Sequence, residues 1–261
     1  MSFFKKRPYL APTLGVSLKS ALQKFRSIPW FLKDYQKFKK HLGNDPEFPI
    51  GRFYPILSDK HVESGTASGH YFHQDLLIAQ KIFKAAPQKH VDIGSRIDGF
   101  VGHLASFREI EVFDIRPLLA SIENIKFVQA NLMELNESLI DYTSSISSLH
   151  ALEHFGLGRY NDPIDAHGHI KALENIFRIL KKGGKFYFST PIGPQRIEFN
   201  AHRVFSIKYL LNIFAGKYIL NSFSYVDDRG YLYKDVQLTD INIDNNFNCV
   251  FGCGIFELTK L

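Results

Sequence analysis

The stretch that most restricts this chain is residues 89–115, KHVDIGSRIDGFVGHLASFREIEVFDI. His90-Val91-Asp92-Ile93 is a short apolar run that stops at Gly94, as a buried parallel strand does when it meets a turn. Ser95, Arg96, Ile97, Asp98 and Gly99 lead into residues 100–107, where Phe100, Val101, Leu104 and Phe107 fall at helical spacing. Ile110 to Asp114 reads as a second strand ending on an acid. Asp114 comes 20 positions after Gly94, the offset at which an acid closing the second strand of a βαβ unit meets the two hydroxyls of a ribose. A βαβ unit without a ligand is the plain alternative. The turn narrows the ligand further. A dinucleotide demands G-x-G-x-x-G, so that backbone N–H groups reach the pyrophosphate. Here only Gly94 and Gly99 are present, and Arg96 and Asp98 stand where that approach needs glycine. The turn suits a ribose-bearing ligand without a pyrophosphate, such as S-adenosylmethionine.

With 261 residues, the chain is long enough for one large α/β domain and an appendage. It contains no run of 18 apolar residues, so no transmembrane helix is expected. The N-terminus lacks the apolar core of a signal peptide. Two cysteines, Cys249 and Cys253, are too few for a disulfide framework or a zinc site built from cysteines, and no metal is expected. A cytoplasmic location follows. The net charge of +6 is unevenly placed. Residues 1–45 hold Lys5, Lys6, Arg7, Lys19, Lys24, Arg26, Lys33, Lys37, Lys39 and Lys40 against Asp34 and Asp45. They carry +8, which leaves about −2 on the rest of the chain. The basic balance therefore belongs to a helical arm, residues 1–48, and a ligand-binding domain occupies 49–261. The arm reads as two short helices broken at Pro29. Phe31, Tyr35, Phe38 and Leu42 form a stripe in the second, with lysines between them. Such a helix can pack on its own domain with a solvated lysine face, or lie on the inner face of an anionic membrane. Nothing resembles a nucleic-acid-reading element.

Residues 46–72 are rich in proline and glycine and read as an irregular connection that could form part of a lid. A helix from about Gly69 to Ala85 precedes the first strand. Lys126–Ala130 is the third strand and Ser144–Leu149 the fourth, the latter rich in serine. Ligands of an open parallel sheet bind outside the carboxyl ends of the strands at the reversal of strand order. His150, Glu153 and His154, just after the fourth strand, should therefore face the site. The loop 156–165 is polar and turn-rich, a candidate for substrate recognition. Asp162, Asp165, His167 and His169 within or beside it are explained more simply by hydrogen bonding than by a metal. His169–Lys182 is an amphipathic helix stopped by Gly183-Gly184, and Lys185–Thr190 is the fifth strand. A long charged loop, 191–203, leads to a helix over 206–214 with Ser206 as N-cap. Residues 218–225 and 254–258 complete the sheet as antiparallel strands, with a turn and polar insertion from Asp227 onward.

Asp92 and Gly94 match the start of the first motif of the class I S-adenosylmethionine-dependent methyltransferases, an acid-x-Gly-x-Gly-x-Gly turn whose later glycines are missing here. The helix ending in Leu-Lys-Lys-Gly-Gly before an apolar strand, and Leu-Glu-His after the fourth strand, also resemble that superfamily. Together VDIGSRIDGF, SSLHALEHFGLGRYNDPID, LKKGGKFYFSTPIG and FNAHRVFS resemble one branch of it, an uncharacterised family of unknown function often met among surface-polysaccharide genes. The resemblance spans roughly residues 50–230. It implies a Rossmann-like α/β sandwich of three layers, with a mostly parallel seven-stranded sheet and late antiparallel strands.

It also implies methyl transfer from S-adenosylmethionine to a sugar or glycan precursor. The cofactor set so implied is Asp92, Gly94, Ser95, Arg96, Gly99, Asp114, Ile115, Asn131, Leu132 and His150. Asn131 would meet the adenine amino group, although an ordinary helix cap explains it equally well. Tyr71, His73 and Gln74 stand where the cofactor's methionine end would lie, as second-rank site residues, although capping or packing explains any one of them more simply. A sugar hydroxyl needs a base, and histidine suits that near neutral pH. His154, His202 and, third, His150 are the candidates. Glu153, Arg159, Tyr160, Arg196 and Arg203 form the expected acceptor set, with the arginines on an anionic group. The alternative is a methyltransferase fold without chemistry, serving as a scaffold for glycan enzymes. An oxidoreductase on this fold is disfavoured by the missing G-x-G-x-x-G.

Overall fold

The computed structural model describes residues 18–43, 47–134 and 136–261, with side chains of the first helix described from Phe25 onward. The chain divides into two compact units, Met1–Thr66 and Ala67–Leu261.

The first unit is built on α1 (Leu18–Leu42). Two helices were expected, but one helix runs through Pro29. A proline deletes one N–H bond and costs about 3 kcal/mol, which weakens a 25-residue helix without dividing it. Phe31 and Tyr35 of the predicted stripe pack edge-on against Phe53, with centroids 5.2 and 5.3 Å apart. Lys60 pairs with Asp34 at 2.5 Å and lies over the Trp30 ring. Residues 49–66 thus share a unit with the helix. Phe38 of the stripe is exposed, as are Phe25, Ile28 and Leu32. Among the described residues no helix is long and apolar enough to cross a membrane. Lys5, Lys6, Arg7 and Asp45 lie outside the described residues.

The second unit runs α2 (His70–Ala85), β1 (Val91–Ile93), α3 (Gly102–Ala105), β2 (Ile110–Asp114), β3 (Ile125–Gln129), β4 (Thr143–Leu149), α4 (Gly168–Ile179) and β5 (Leu180–Ile192). It continues with β6 (Arg196–Glu198), β7 (His202–Val204), α5 (Ile207–Phe214), β8 (Tyr218–Val226), β9 (Leu232–Tyr233), α6 (Asp240–Asp244) and β10 (Gly252–Lys260). The main sheet has the order β3-β2-β1-β4-β5-β10-β8-β9. Its first five strands are parallel, and β10 runs antiparallel between β5 and β8. Strand order reverses between β1 and β4, as expected for this Rossmann-like α/β architecture. The sheet has eight strands rather than the seven expected. Gly230, at φ +89°, turns the chain back so that Leu232 and Tyr233 pair with Val226 and Tyr225.

Alternating side chains feed two cores. Phe186, Phe188, Ile93 and Phe256 face α4 and α5, while Tyr187, Val112 and Ile255 face α2 and Phe100. That period of two, with helices on both faces, makes three layers. Two local readings change. The helix expected over residues 100–107 is a wide turn, Ile97–Val101, followed by the short α3, because Gly99 adopts a non-helical φ −128°, ψ −115°. α4 stops at Ile179, before the predicted Lys182, and Leu180 already pairs with Thr143. Gly183, at φ +74°, sits where the pairing slips before Lys185 meets Ser145.

Candidate functional site

A cleft opens at the carboxyl ends of β1, β2 and β4, where the strand order reverses. Its floor is the β1–α3 turn. Gly94 sits at φ +75°, and a Cβ there would lie 2.8 Å from the Cβ of Ala151, so the turn and the segment after β4 meet only through glycine. Gly94 donates its N–H to the Phe113 carbonyl at 2.9 Å, which ties the turn to β2. Gly94, Ser95 and Arg96 line the cleft.

Asp92 does not reach the cleft. It is wholly buried and accepts from the Ser95 N–H (3.0 Å), the Ser95 hydroxyl (2.8 Å) and the Ser147 hydroxyl (2.5 Å). Burial pushes its carboxyl up to about 7 against those donors. Ser147 gives its proton to Asp92, so it accepts from His90 Nε2–H at 3.0 Å. His90 Nδ1 then accepts from Ser145 at 2.8 Å. The serine-rich fourth strand is therefore the hydrogen-bonding wall for two buried polar groups of β1. Gly99 also lies off the cleft lining, with Asp75 Oδ2 3.0 Å from where its Cβ would stand.

Asp114 does line the cleft at the tip of β2, but it is not free. Arg116 folds back on it, donating its N–H at 2.8 Å and Nε at 3.0 Å to Oδ1, and pairing through Nη2 with Oδ2. The Arg116 guanidinium also lies 4.6 Å from the centre of the Tyr160 ring, whose neighbour Arg159 stands at 5.1 Å. Arg116 carried no expected role at the site. Its proximity to Asp114 in sequence was the available signal. Arg96 pairs with Asp98 instead, at 2.6 Å, with both side chains mostly exposed. Ile115, Asn131 and Leu132 share the wall. Asn131 acts as a local cap, accepting from Met133 N–H at 3.1 Å and donating to Glu134 at 2.9 Å.

The opposite wall is the segment after β4. His150, Glu153, His154, Arg159 and Tyr160 all line the cleft, joined by His202 from β7. The predicted loop 191–203 forms the β6–β7 hairpin that carries His202 there. Glu153 is buried between two histidines, with Oε1 2.8 Å from His150 Nδ1 and 3.8 Å from His154 Nε2. Burial works against a charged His150, but the Cys253 sulfur and the Glu153 carboxylate outweigh it and hold the ring above its ordinary value. His154 goes the other way. Burial lowers it, opposed by Glu153. Its Nδ1 lies 2.7 Å from the Ala201 carbonyl, which can only accept, so the proton is on Nδ1 and Nε2 carries a lone pair. Arg159 donates to the same carbonyl at 2.9 Å. His202 is also lowered by burial and packs against Phe251 at 4.9 Å.

Two expected acceptor residues stand elsewhere. Arg203 is buried and donates to the carbonyls of Phe155 (2.6 Å), Ala166 (3.2 Å) and Glu153 (3.4 Å), so it pins the loop rather than presenting charge. Arg196 pairs with Glu198 at 2.8 Å and donates to the carbonyls of Pro194 and Val250. Asp162 accepts from the N–H groups of Gly156, Gly158 and Tyr160 and holds the loop from within. Asp165 pairs with Lys171, and His169 bonds to Tyr209, so this group does not converge on a metal. On α2, Tyr71 and Gln74 line the cleft and His73 does not. His70, Asp75 and Phe251 line it too and carried no sequence signal.

The chain matches no curated protein. Among solved structures it is similar to the [4+2]-cyclase SpnF, at 13% identity and a TM-score of 0.50 over 71% of this chain and 81% of that one. It is also similar to the N-methyltransferase NodS from Bradyrhizobium japonicum with bound S-adenosylhomocysteine, at 13% identity and TM-score 0.47 over 87% and 97% of the two chains. A third is YcgJ from Bacillus subtilis, at 16% identity and TM-score 0.49 over 72% and 98%. At these identities the likeness concerns the fold. Residues 105–249, more than half of the chain, match the family described as "Caenorhabditis protein of unknown function, DUF268", and the chain belongs to that family.

Proposed function

We propose that this protein transfers a methyl group from S-adenosylmethionine to a hydroxyl of a sugar or glycan precursor. One juxtaposition supports the reading: an acid at the tip of β2, beside the Gly94 turn, shares a cleft with the Glu153–His154 pair. The residues fit an adenosyl group. Asp114 offers carboxylate lone pairs to ribose hydroxyls once Arg116 yields an edge, and Ile115 and Leu132 offer apolar surface to a purine. S-adenosylmethionine supplies an already activated methyl group. The chain's own residues then align the acceptor and take up its proton. The Ala201 carbonyl fixes His154 with its Nε2 lone pair available, and burial keeps the ring neutral near pH 7. Glu153 stabilises the imidazolium that forms. Arg159, exposed at the cleft wall, holds an anionic part of the acceptor. His202 is the second candidate base, while His150 is held in its charged form and is unsuited to the task.

Calorimetry is expected to show binding of S-adenosylmethionine and none of NAD. Asp114→Ala should weaken that binding by about 10- to 100-fold, the worth of hydrogen bonds to a charged group. Binding of neither ligand supports the scaffold reading, which the Arg116–Asp114 pair and the missing glycines favour. His154→Ala should lower turnover by about 10²- to 10⁴-fold with donor affinity kept. The acid limb of the rate profile should fall below the ordinary histidine range. Full turnover by His154→Ala on an identified acceptor removes its role. The protein's place is proposed to be cytoplasmic, with α1 touching an anionic membrane face through its lysines.

A further inference from the structure

We propose that His70, His150 and Cys253 bind a zinc ion at the edge of the cleft, leaving one coordination position open. The three residues come from the start of α2, the position just after β4 and the start of β10. Their ligand atoms all lie within 4.8 Å of one another. A tetrahedral zinc site places such atoms about 3.5 Å apart, so modest side-chain movement closes the group.

The hydrogen-bond pattern around His150 is the second observation. The His150 side chain is only 5% exposed, and its Nδ1 donates to Glu153 Oε1 at 2.8 Å. Its Nε2 is buried with no hydrogen-bond partner. An imidazole whose far nitrogen is held by a carboxylate while the near one is unpartnered is the arrangement of a metal-ligating histidine. The Cys253 thiol is fully buried, and its contacts to Gln74 Oε1 (3.6 Å) and the Gly254 carbonyl (3.9 Å) are long. His70 stacks over His150 with centroids 5.2 Å apart and planes 20° apart. Zinc lies in the plane of each imidazole it binds, so His70 turns about its Cβ–Cγ bond to complete the site.

Two imidazoles and a thiolate form a borderline-soft set that suits zinc, and three protein ligands leave the fourth position to a small oxygen ligand. His70 and His150 line the cleft, so that position opens beside Glu153 and His154. Binding forms one Zn–S and two Zn–N bonds and releases to solvent whatever protons Cys253 Sγ and His150 Nε2 hold. The ligand in the fourth position is water or an acceptor hydroxyl.

The full chain, stripped with chelator, is titrated with zinc and with cobalt(II). One ion per chain is expected, with four-coordinate visible bands and a thiolate-to-cobalt charge-transfer band in the near ultraviolet. Cys253→Ser should lose the charge-transfer band. Glu153→Gln should weaken zinc by about 10- to 100-fold. His70→Gln is the second variant, because His70 is half-buried where His150 and Cys253 are buried, and its loss threatens folding least. Circular dichroism confirms the fold of each. Cobalt uptake without a thiolate band, or zinc affinity unchanged in folded Cys253→Ser and His70→Gln, overturns the site. Donor calorimetry on the same samples is independent of the cobalt spectrum, so failure of the methyltransferase reading is distinguishable from failure of this one.

Discussion

At Gly94 the backbone turns at φ +75° and the main chain approaches the segment after β4 too closely for a side chain. Gly94→Ala meets two costs. A left-handed alanine loses about 1–2 kcal/mol, and its Cβ overlaps that of Ala151. We expect a loss of about 2 kcal/mol or more, read from the midpoint of urea unfolding. An unchanged midpoint would show that the turn relaxes at no cost. Gly94 and Asp114 were legible because a strand, a turn and a strand are local in sequence. Arg116 was not legible as Asp114's partner, because competition for a carboxylate depends on where a long side chain folds. Asp92 was misplaced for a similar reason. Its spacing suits a cleft residue, yet its side chain points into the sheet, where alternation buries it against β4.

Among the elements, β4 shows how a strand carries polar residues without exposing them. Ser145 and Ser147 face β1 and satisfy His90 and Asp92 in a buried layer. Asp92 is raised from 3.8 to about 7 by burial. A raised folded-state value gives stability fully present below the unfolded value and lost as pH rises through the folded one. Relative to Asp92→Asn, the wild type should therefore lose stability between about pH 4 and about pH 7. Chemical denaturation of both proteins across that range checks it, and a pH-independent difference would show that Asp92 does not titrate there. The loop after β4 is a second such case. Its conformation rests on Asp162 inside and Arg203 from β7 outside. The sequence located this loop by its polarity but assigned Arg203 to substrate, because nothing local marks an arginine that will be buried against carbonyls.

At the scale of the whole molecule, the charge is divided as the fold is. The lysines lie on α1, and the cleft belongs to the second unit. The surface contact proposed for α1 has a direct check. The protein should sediment with phosphatidylserine-containing vesicles at low salt and be released as salt screens the lysines. Lys33→Glu with Lys37→Glu and Lys40→Glu should abolish sedimentation without altering donor binding. Sedimentation unaffected by salt or by those changes would rule out the electrostatic contact. The zinc triad also belongs to this scale. Counting cysteines along the sequence gave no metal site, since Cys253 meets His70 only when β10 inserts between β5 and β8.

The sequence by itself determined the parallel half of the sheet, the Gly94 turn, the acid closing β2 and the segment after β4 as one wall of the cleft. Each depends on periodicity or on spacing within a few tens of residues, and backbone sterics fix the outcome. Only the tertiary structure decided which polar side chains reach the cleft. Asp92 and Arg203 are spent inside, Arg116 covers Asp114, and His202 arrives on a hairpin from beyond β5. Those outcomes depend on which buried donors and acceptors meet across distant strands, and an unpaired buried polar group is too costly to leave to local preference.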